Sequence, residues 1–311
     1  MERTTVITSG APFIDIDAYA CIFAYQELLQ KQGKKVLSLV TSHPNASIIH
    51  RYKKDFYSRD TKMLWNIPEK GYVLVDVSDP KHFESFVEEK EVTNVFDHHP
   101  GFENFWKEKI GKNAVIEPVG AAATLIFREY KKSQFLQEIS PFAAELLAAA
   151  ILSNTLSFQA QISTQEDKDA YAELSAYFNF QEQFESEYFL EVQRTIENTI
   201  TESLVNDSKR IDFLGQKIFI AQLEVFDAEN ILRSKTEDIS NFLQNSPDNI
   251  TFLNLIEIGK GRNVIIFKNR DSKDFLLDHL SDINIDTHTG YGFTPSVVLR
   301  KEILTKMYNK A

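Results

Sequence analysis

Short runs of β-branched and apolar residues alternate with longer amphipathic stretches through the first half of the chain. That alternation predicts a parallel sheet covered by helices. Thr4 to Ser9 reads as a strand. Asp17 to Gln32 reads as a helix, with apolar positions at Ala20, Phe23, Ala24, Leu28 and Leu29. Lys35 to Thr41, Tyr72 to Val77 and Thr93 to Asp97 are further strands; Gly120 to Lys131 and Pro141 to Leu152 are apolar helices, and Thr164 to Asn179 is an amphipathic one. Gln181 to Leu204 carries six Glu with few breakers and reads as a solvated linking helix. From Lys209 the pattern turns α+β, with a strand at Lys217 to Glu224, a helix around Ala228 to Phe242, strands at Thr251 to Ile258 and Asn263 to Phe267, and a turn at Gly290-Tyr291-Gly292. The expected fold is α/β. A parallel sheet with helices on both faces spans residues 1–185, a smaller α+β domain spans 186–311, and the active cleft lies between them.

Composition narrows the class. With 311 residues, 43% hydrophobic and 12% aromatic, the chain is too apolar for disorder. The single cysteine, Cys21, excludes an intrachain disulfide and a cysteine-built zinc cluster, and suits a reducing compartment. The start lacks the apolar core of a signal peptide, and no run approaches the roughly 18 apolar residues of a membrane helix. A cytoplasmic protein with no membrane partner is expected. With 45 acidic against 34 basic residues the net charge is −11, which works against long nucleic acids. An anionic ligand then needs a locally basic pocket or bound cations.

Three acidic clusters stand at strand ends: Asp15-Ile16-Asp17, Asp76-Val77-Ser78-Asp79 and Asp97-His98-His99. In open α/β sheets ligands sit beyond the carboxyl ends of strands. The i, i+2 spacing of Asp15 and Asp17 can aim two carboxylates into one cleft. Carboxylates with imidazole suit manganese, magnesium or cobalt, and two metals sharing a carboxylate make a phosphoryl-transfer site. Singly, each cluster also fits a plain turn, Asp17 fits a helix cap, and a random histidine pair fits a solvated loop.

Taken in order, these stretches resemble the DHH phosphoesterase superfamily, and within it the manganese-dependent (family II) inorganic pyrophosphatases and related exopolyphosphatases. Gly10-Ala11-Pro12-Phe13-Ile14-Asp15-Ile16-Asp17-Ala18 looks like the family's G-H-x-N-P-D-x-D-A. Leu74-Val75-Asp76 resembles its second motif, and Asp97-His98-His99, with Asn104-Phe105 following, its name motif. Glu117 to Thr124 is similar to E-P-V-G-x-x-A-T, and Ile151 to Thr155 to I-L-S-D-T. In the second domain Asp207-Ser208-Lys209 resembles D-x-K, Ile220 to Glu224 resembles I-G-Q-V-E, and Val297 to Lys301 resembles V-V-S-R-K.

The resemblance implies up to two metal ions, manganese or else magnesium or cobalt. They would be bridged by Asp76 and held further by Asp15, Asp17 and His98. It implies that His99, Lys209, Arg300 and Lys301 hold phosphate oxygens of a small phosphorylated or polyphosphate ligand, and that a metal-activated water attacks phosphorus. Asp76, His98 and His99 are the implied catalytic group, and a homodimer is compatible with the family.

Two ligand positions depart from the pattern. The motif histidine falls on Ala11, which offers no donor atom, and the final metal aspartate falls on Asn154, a weak neutral donor. Weaker metal binding is expected, more so where the histidine is lost. His43 and His50 are candidates to replace it, without a spacing argument in their favour. Leu299 stands where the family has serine. Asn113 to Gly120 is expected to bring the N–H groups of a helix start near an anion. The expected function is hydrolysis of pyrophosphate, short polyphosphate or a small phosphate ester. The alternative is a degenerate member that binds a phosphorylated ligand without efficient turnover. Oligonucleotide hydrolysis is a weaker third reading, because the chain lacks the G-G-G-H substrate motif of the superfamily's nucleases.

Overall fold

The computed structural model describes residues 3–11, 13–53, 60–280 and 282–310; Pro12 of the first motif lies outside them. The chain divides into two compact units, Met1–Glu185 and Ser186–Ala311.

In the first unit the strands are β1 (Thr4–Thr8), β2 (Phe13–Ile14), β3 (Val36–Ser38), β4 (His43–Pro44), β5 (Lys70–Val75), β6 (Val92–Asp97) and β7 (Ala114–Ile116). Five of them form one sheet in the order β3-β1-β5-β6-β7, and every pairing is parallel. β2 and β4 make a small separate parallel pair. Successive residues of β5 face opposite sides, and both sides are buried, which is why this strand is apolar without alternation. Tyr72 and Leu74 join Val6, Val95 and Trp106 in one layer. On the other face Phe96 packs edge-on against Tyr25 of helix Ile16–Lys31. That helix lies against helix Pro141–Thr155, whose residues Leu146 to Leu152 are all fully buried. A helix apolar on every side belongs in the interior. Its start is fixed by Ser140, whose hydroxyl accepts from Ala143 N–H, with Pro141 in the first turn. Its end turns left-handed at Leu156, Ser157 and Phe158.

A buried carboxylate clasps the loop before helix Ala122–Lys132. Asp167 accepts from Gly120 N–H at 2.8 Å, from Thr124 Oγ1 at 2.6 Å and from Thr164 N–H at 2.7 Å. A Cβ on Gly120 would lie 2.5 Å from Thr155 Cγ2 and 2.7 Å from Asp167 Oδ2. Gly120→Ala should therefore destabilise the protein by about 1–3 kcal/mol through overpacking, read from the urea midpoint at unchanged slope.

The second unit contains β8 (Ser208–Phe213), β9 (Gln216–Val225), β10 (Ile250–Glu257), β11 (Arg262–Phe267), β12 (Asn284–Ile285) and β13 (Gly292–Phe293), ordered β12-β13-β11-β10-β9-β8. β8 and β9 form a hairpin whose two-residue turn, Leu214-Gly215, is left-handed at both positions. Helix Ala228–Gln244 makes the crossover that parallel pairing of β9 with β10 requires. Helices Arg270–His279 and Arg300–Lys310 contribute Leu276, Ile303 and Met307 to a core with Ile220, Phe252 and Ile265.

The solvated helix expected over Gln181 to Leu204 is corrected. It is two helices, Phe184–Asn198 and Ile200–Asn206, broken at Thr199, which leaves the helical region (φ −128°, ψ 36°). It is also amphipathic. Tyr188, Val192, Ile196, Ile200 and Leu204 recur every four residues and are all buried, so the glutamates occupy only the remaining face.

Candidate metal centre

β1, β5 and β6 lie side by side, and the segments that follow them carry the candidate residues. β5 ends at Val75. The next residue, Asp76, turns left-handed (φ 57°), a conformation aspartate tolerates, while its N–H still donates to the Phe96 carbonyl at 2.8 Å. After β6, Asp97 accepts at Oδ1 from the N–H groups of His98 (2.8 Å) and His99 (3.2 Å), which bends the chain so that both imidazoles lie beside Asp76. After β1, Asp15 caps helix Ile16–Lys31 through Ala18 N–H, and Asp17 sits fully buried in its first turn.

His98 Nδ1 lies 3.1 Å from the Val119 carbonyl, which can only accept, so Nδ1 carries a proton and Nε2 is the nitrogen turned toward the carboxylates. That Nε2 and Asp76 Oδ1 are 3.4 Å apart, buried, and neither makes a hydrogen bond. Asp17 Oδ2 is 3.8 Å from the same Nε2. Ligand atoms of Asp76, His98 and His99 all fall within 4.8 Å of one another. Buried polar atoms without partners are costly, and an imidazole anchored at one nitrogen with the other open is the arrangement of metal-ligating histidines. These donors fit a divalent cation of the manganese or magnesium class.

The electrostatics point the same way. Burial, then the charges of Asp15 and Asp17, push the Asp76 carboxyl well above its usual range. Burial raises Asp17 to about 6, against the pull of His98 and of two backbone N–H groups. Burial also lifts Asp97, but hydrogen bonds from His99 outweigh it and hold the group below its usual value. The same contact raises His99, whose Nδ1 lies 2.9 Å from Asp97 Oδ1.

Asp17 is held in a way the sequence does not announce. Its Oδ2 accepts from Ala122 N–H at 2.7 Å and its Oδ1 from Ala123 N–H at 2.8 Å, so it caps helix Ala122–Lys132, which has no side-chain cap of its own. The helix start expected after Asn113 to Gly120 thus meets an internal carboxylate. Asn154, in the last turn of helix Pro141–Thr155, points its Nδ2 at Asp17 Oδ2 at 2.6 Å. The amide turns its nitrogen, not its oxygen, to Asp17 because a carboxylate accepts.

Asp15, Asp76, Asp97 and His99 border a cavity of about 480 Å³ that Ala11 also lines. His43 and His50 do not border it; both are exposed, on β4 and at the start of helix His50–Lys53. His82 does border it, with Nε2 3.9 Å from Asp79 Oδ2. No motif marks His82 in the sequence.

In the second unit Arg300 is anchored on Asp207, and the charge of Lys209 also acts on that carboxylate. Arg300 is nearly buried and donates to the Asp207 carbonyl at 2.7 Å and to its Oδ1 at 2.6 Å. Lys209 follows on β8, and Lys301 is exposed in the first turn of helix Arg300–Lys310. Leu299 offers this helix no hydroxyl cap; Glu302 compensates by accepting from Leu299 N–H at 2.8 Å.

Comparison with known families decides the assignment of the first unit. Residues 5–151 match the DHH family, N-terminal domain. The chain carries a DHH domain. A Staphylococcus carnosus protein named probable manganese-dependent inorganic pyrophosphatase is 26% identical over 97% of this chain and 96% of its own length. The manganese-dependent inorganic pyrophosphatase of Methanocaldococcus jannaschii is 28% identical over 70% of this chain and 74% of its own. Among solved structures, a Methanococcus jannaschii protein assigned to the family II inorganic pyrophosphatases superposes with a TM-score of 0.62 at 22% identity, covering 98% of this chain and 99% of that one. An exopolyphosphatase-related protein of Bacteroides fragilis gives 0.51 at 13% identity, covering 99% and 91%. These two show that the chain shares their fold. No helix among the described residues is long and apolar enough to cross a membrane.

Proposed function

We propose that this DHH protein is a metal-dependent phosphohydrolase acting on pyrophosphate, short polyphosphate or a small phosphate ester. The observation that carries the proposal is the buried, unpartnered pair Asp76 Oδ1 and His98 Nε2, held 3.4 Å apart. Asp76 and His98 would hold the cation, with Asp15 and Asp17 as flanking carboxylates and Asn154 a weak neutral contributor, and manganese is the ion in the names of the relatives. A bound divalent cation supplies Lewis acidity toward phosphoryl oxygens and acidifies water. Asp97 orients His99 and shifts it toward its protonated form, in which the other ring nitrogen would present a proton to a phosphoryl oxygen. Lys209, Arg300 and Lys301 give the 186–311 unit its phosphate-binding role, while 1–185 holds the metal.

A second reading has its own observation. Ala11 supplies no ligand, and Asn154 spends its amide on Asp17, as expected of a member that binds a phosphorylated ligand without efficient hydrolysis. Phosphate release from pyrophosphate, tripolyphosphate and a short oligonucleotide, with added manganese, separates the two. Turnover abolished by chelation and by Asp76→Ala supports the hydrolase and names its substrate class. No release above the Asp76→Ala background overturns it in favour of the binding protein.

A further inference from the structure

Asp76 faces two places where a cation can sit, and this chain has equipped them unequally. One lies toward His98 and Asp17, where Asp76 Oδ1 and His98 Nε2 are buried and without hydrogen-bond partners. The other lies toward Asp15, on the cavity of about 480 Å³ lined by Ala11. Two imidazoles, His82 and His99, also line that cavity, yet among the described residues neither joins Asp15 in a three-ligand group; the group that forms is Asp76, His98 and His99. Asp15 already accepts from Ala18 N–H at 3.0 Å, and Ala11 itself is fixed by its N–H donating to the His82 carbonyl at 2.9 Å. On that side Asp15 and Asp76 are one protein ligand short of what a histidine at position 11 would give, so water must fill more of an octahedral manganese or magnesium shell and the ion is held less tightly.

Asn154 alters the first place in a different way. Asp17 receives hydrogen bonds from Ala122, Ala123 and Asn154 and a longer one from the Cys21 thiol at 3.6 Å, so its carboxylate is satisfied without a cation. An aspartate at 154 would set a second carboxylate 2.6 Å from the first, the distance Asn154 Nδ2 now keeps. Two carboxylates so close need a shared proton or a cation between them.

We propose that the centre of this chain is mononuclear: one divalent cation between Asp76 and His98, with Asn154 as the positioning residue that satisfies Asp17 whether or not the cation is bound. The inference rests on the hydrolase reading only for the presence of a cation, not for turnover.

The test is a manganese titration of chelator-stripped full-length protein, followed by calorimetry and electron paramagnetic resonance. Wild type should take up one equivalent and show the hyperfine-split signal of an isolated ion. Ala11→His, which adds an imidazole beside Asp15 and Asp76, should take up two and show the broadened signal of an exchange-coupled pair. Asn154→Asp should bind manganese roughly tenfold or more tighter and, stripped of metal, melt below wild type. Two equivalents or a coupled spectrum in wild type would overturn the mononuclear centre and leave the hydrolase standing. An Asn154→Asp protein unchanged in affinity and in metal-free melting would overturn the role given to Asn154. Absence of manganese binding in wild type would overturn this inference and the metal-dependent hydrolase together, whereas one bound equivalent without phosphate release would sink the hydrolase alone.

Discussion

Asp76→Asn should abolish manganese-dependent turnover, by about a thousandfold or more, while making the metal-free protein more stable at neutral and alkaline pH. Asparagine keeps the size of Asp76 and tolerates its left-handed backbone, so the fold loses nothing at φ 57°. What disappears is a buried negative charge crowded by Asp15 and Asp17. In the folded protein both Asp76 and Asp17 titrate above their unfolded value of 3.8, Asp17 at about 6. Between the two values the folded state retains a proton that the unfolded state has released, so metal-free stability falls as pH rises through that window. His99, also raised, contributes in the same direction. Asp97, which is lowered, acts oppositely and only below 3.8. Wild type stripped of metal should therefore melt higher at about pH 5 than at about pH 8, with manganese restoring much of the loss. Asp76→Asn should show a flatter profile and gain on the order of 1–3 kcal/mol at the higher pH. A variant that melts below wild type there would show that the carboxylate supports the fold without a cation.

Arg300→Ala should raise the KM for pyrophosphate by about ten- to a hundredfold and leave manganese content unchanged. The guanidinium already spends two N–H groups on Asp207, which fixes its plane and leaves the rest of its fork for a phosphate. Burial raises Asp207 despite Arg300, so removing the cation also strands that carboxylate and lowers stability somewhat. Arg300→Lys separates the contributions. It keeps the charge but not the planar fork, so KM should recover only part of the way. An unchanged KM with a lowered melting temperature would assign Arg300 to the structure of the second unit alone.

The parts of the molecule that were legible beforehand are those whose physics is local. β5 and β6 announce themselves as apolar runs ending in Asp76 and Asp97, and helix Pro141–Thr155 as an apolar stretch behind Ser140-Pro141. The spacing of the acidic clusters led to the residues that surround His98. Other features depend on tertiary partners. β8 is half exposed and lacks an apolar run, and the two-residue strands β12 and β13 owe their existence to β11. The break at Thr199 has no proline or glycine to announce it in the sequence. Nor does any local pattern tell that Asp17 caps a helix 105 residues away, or that Asn154 turns its amide toward it.

The order β1-β5-β6 also sets when the centre can come into being. Asp17, Asp76 and His98 follow strands that are neighbours in the sheet but distant along the chain, and their parallel pairing is a non-local event with high loop-closure entropy. A cation finds no preformed cage until those strands have docked. The stabilisation a bound cation supplies would therefore be absent from the early folding barrier and felt in the reverse reaction, as a brake on escape from the native state rather than as a template for reaching it.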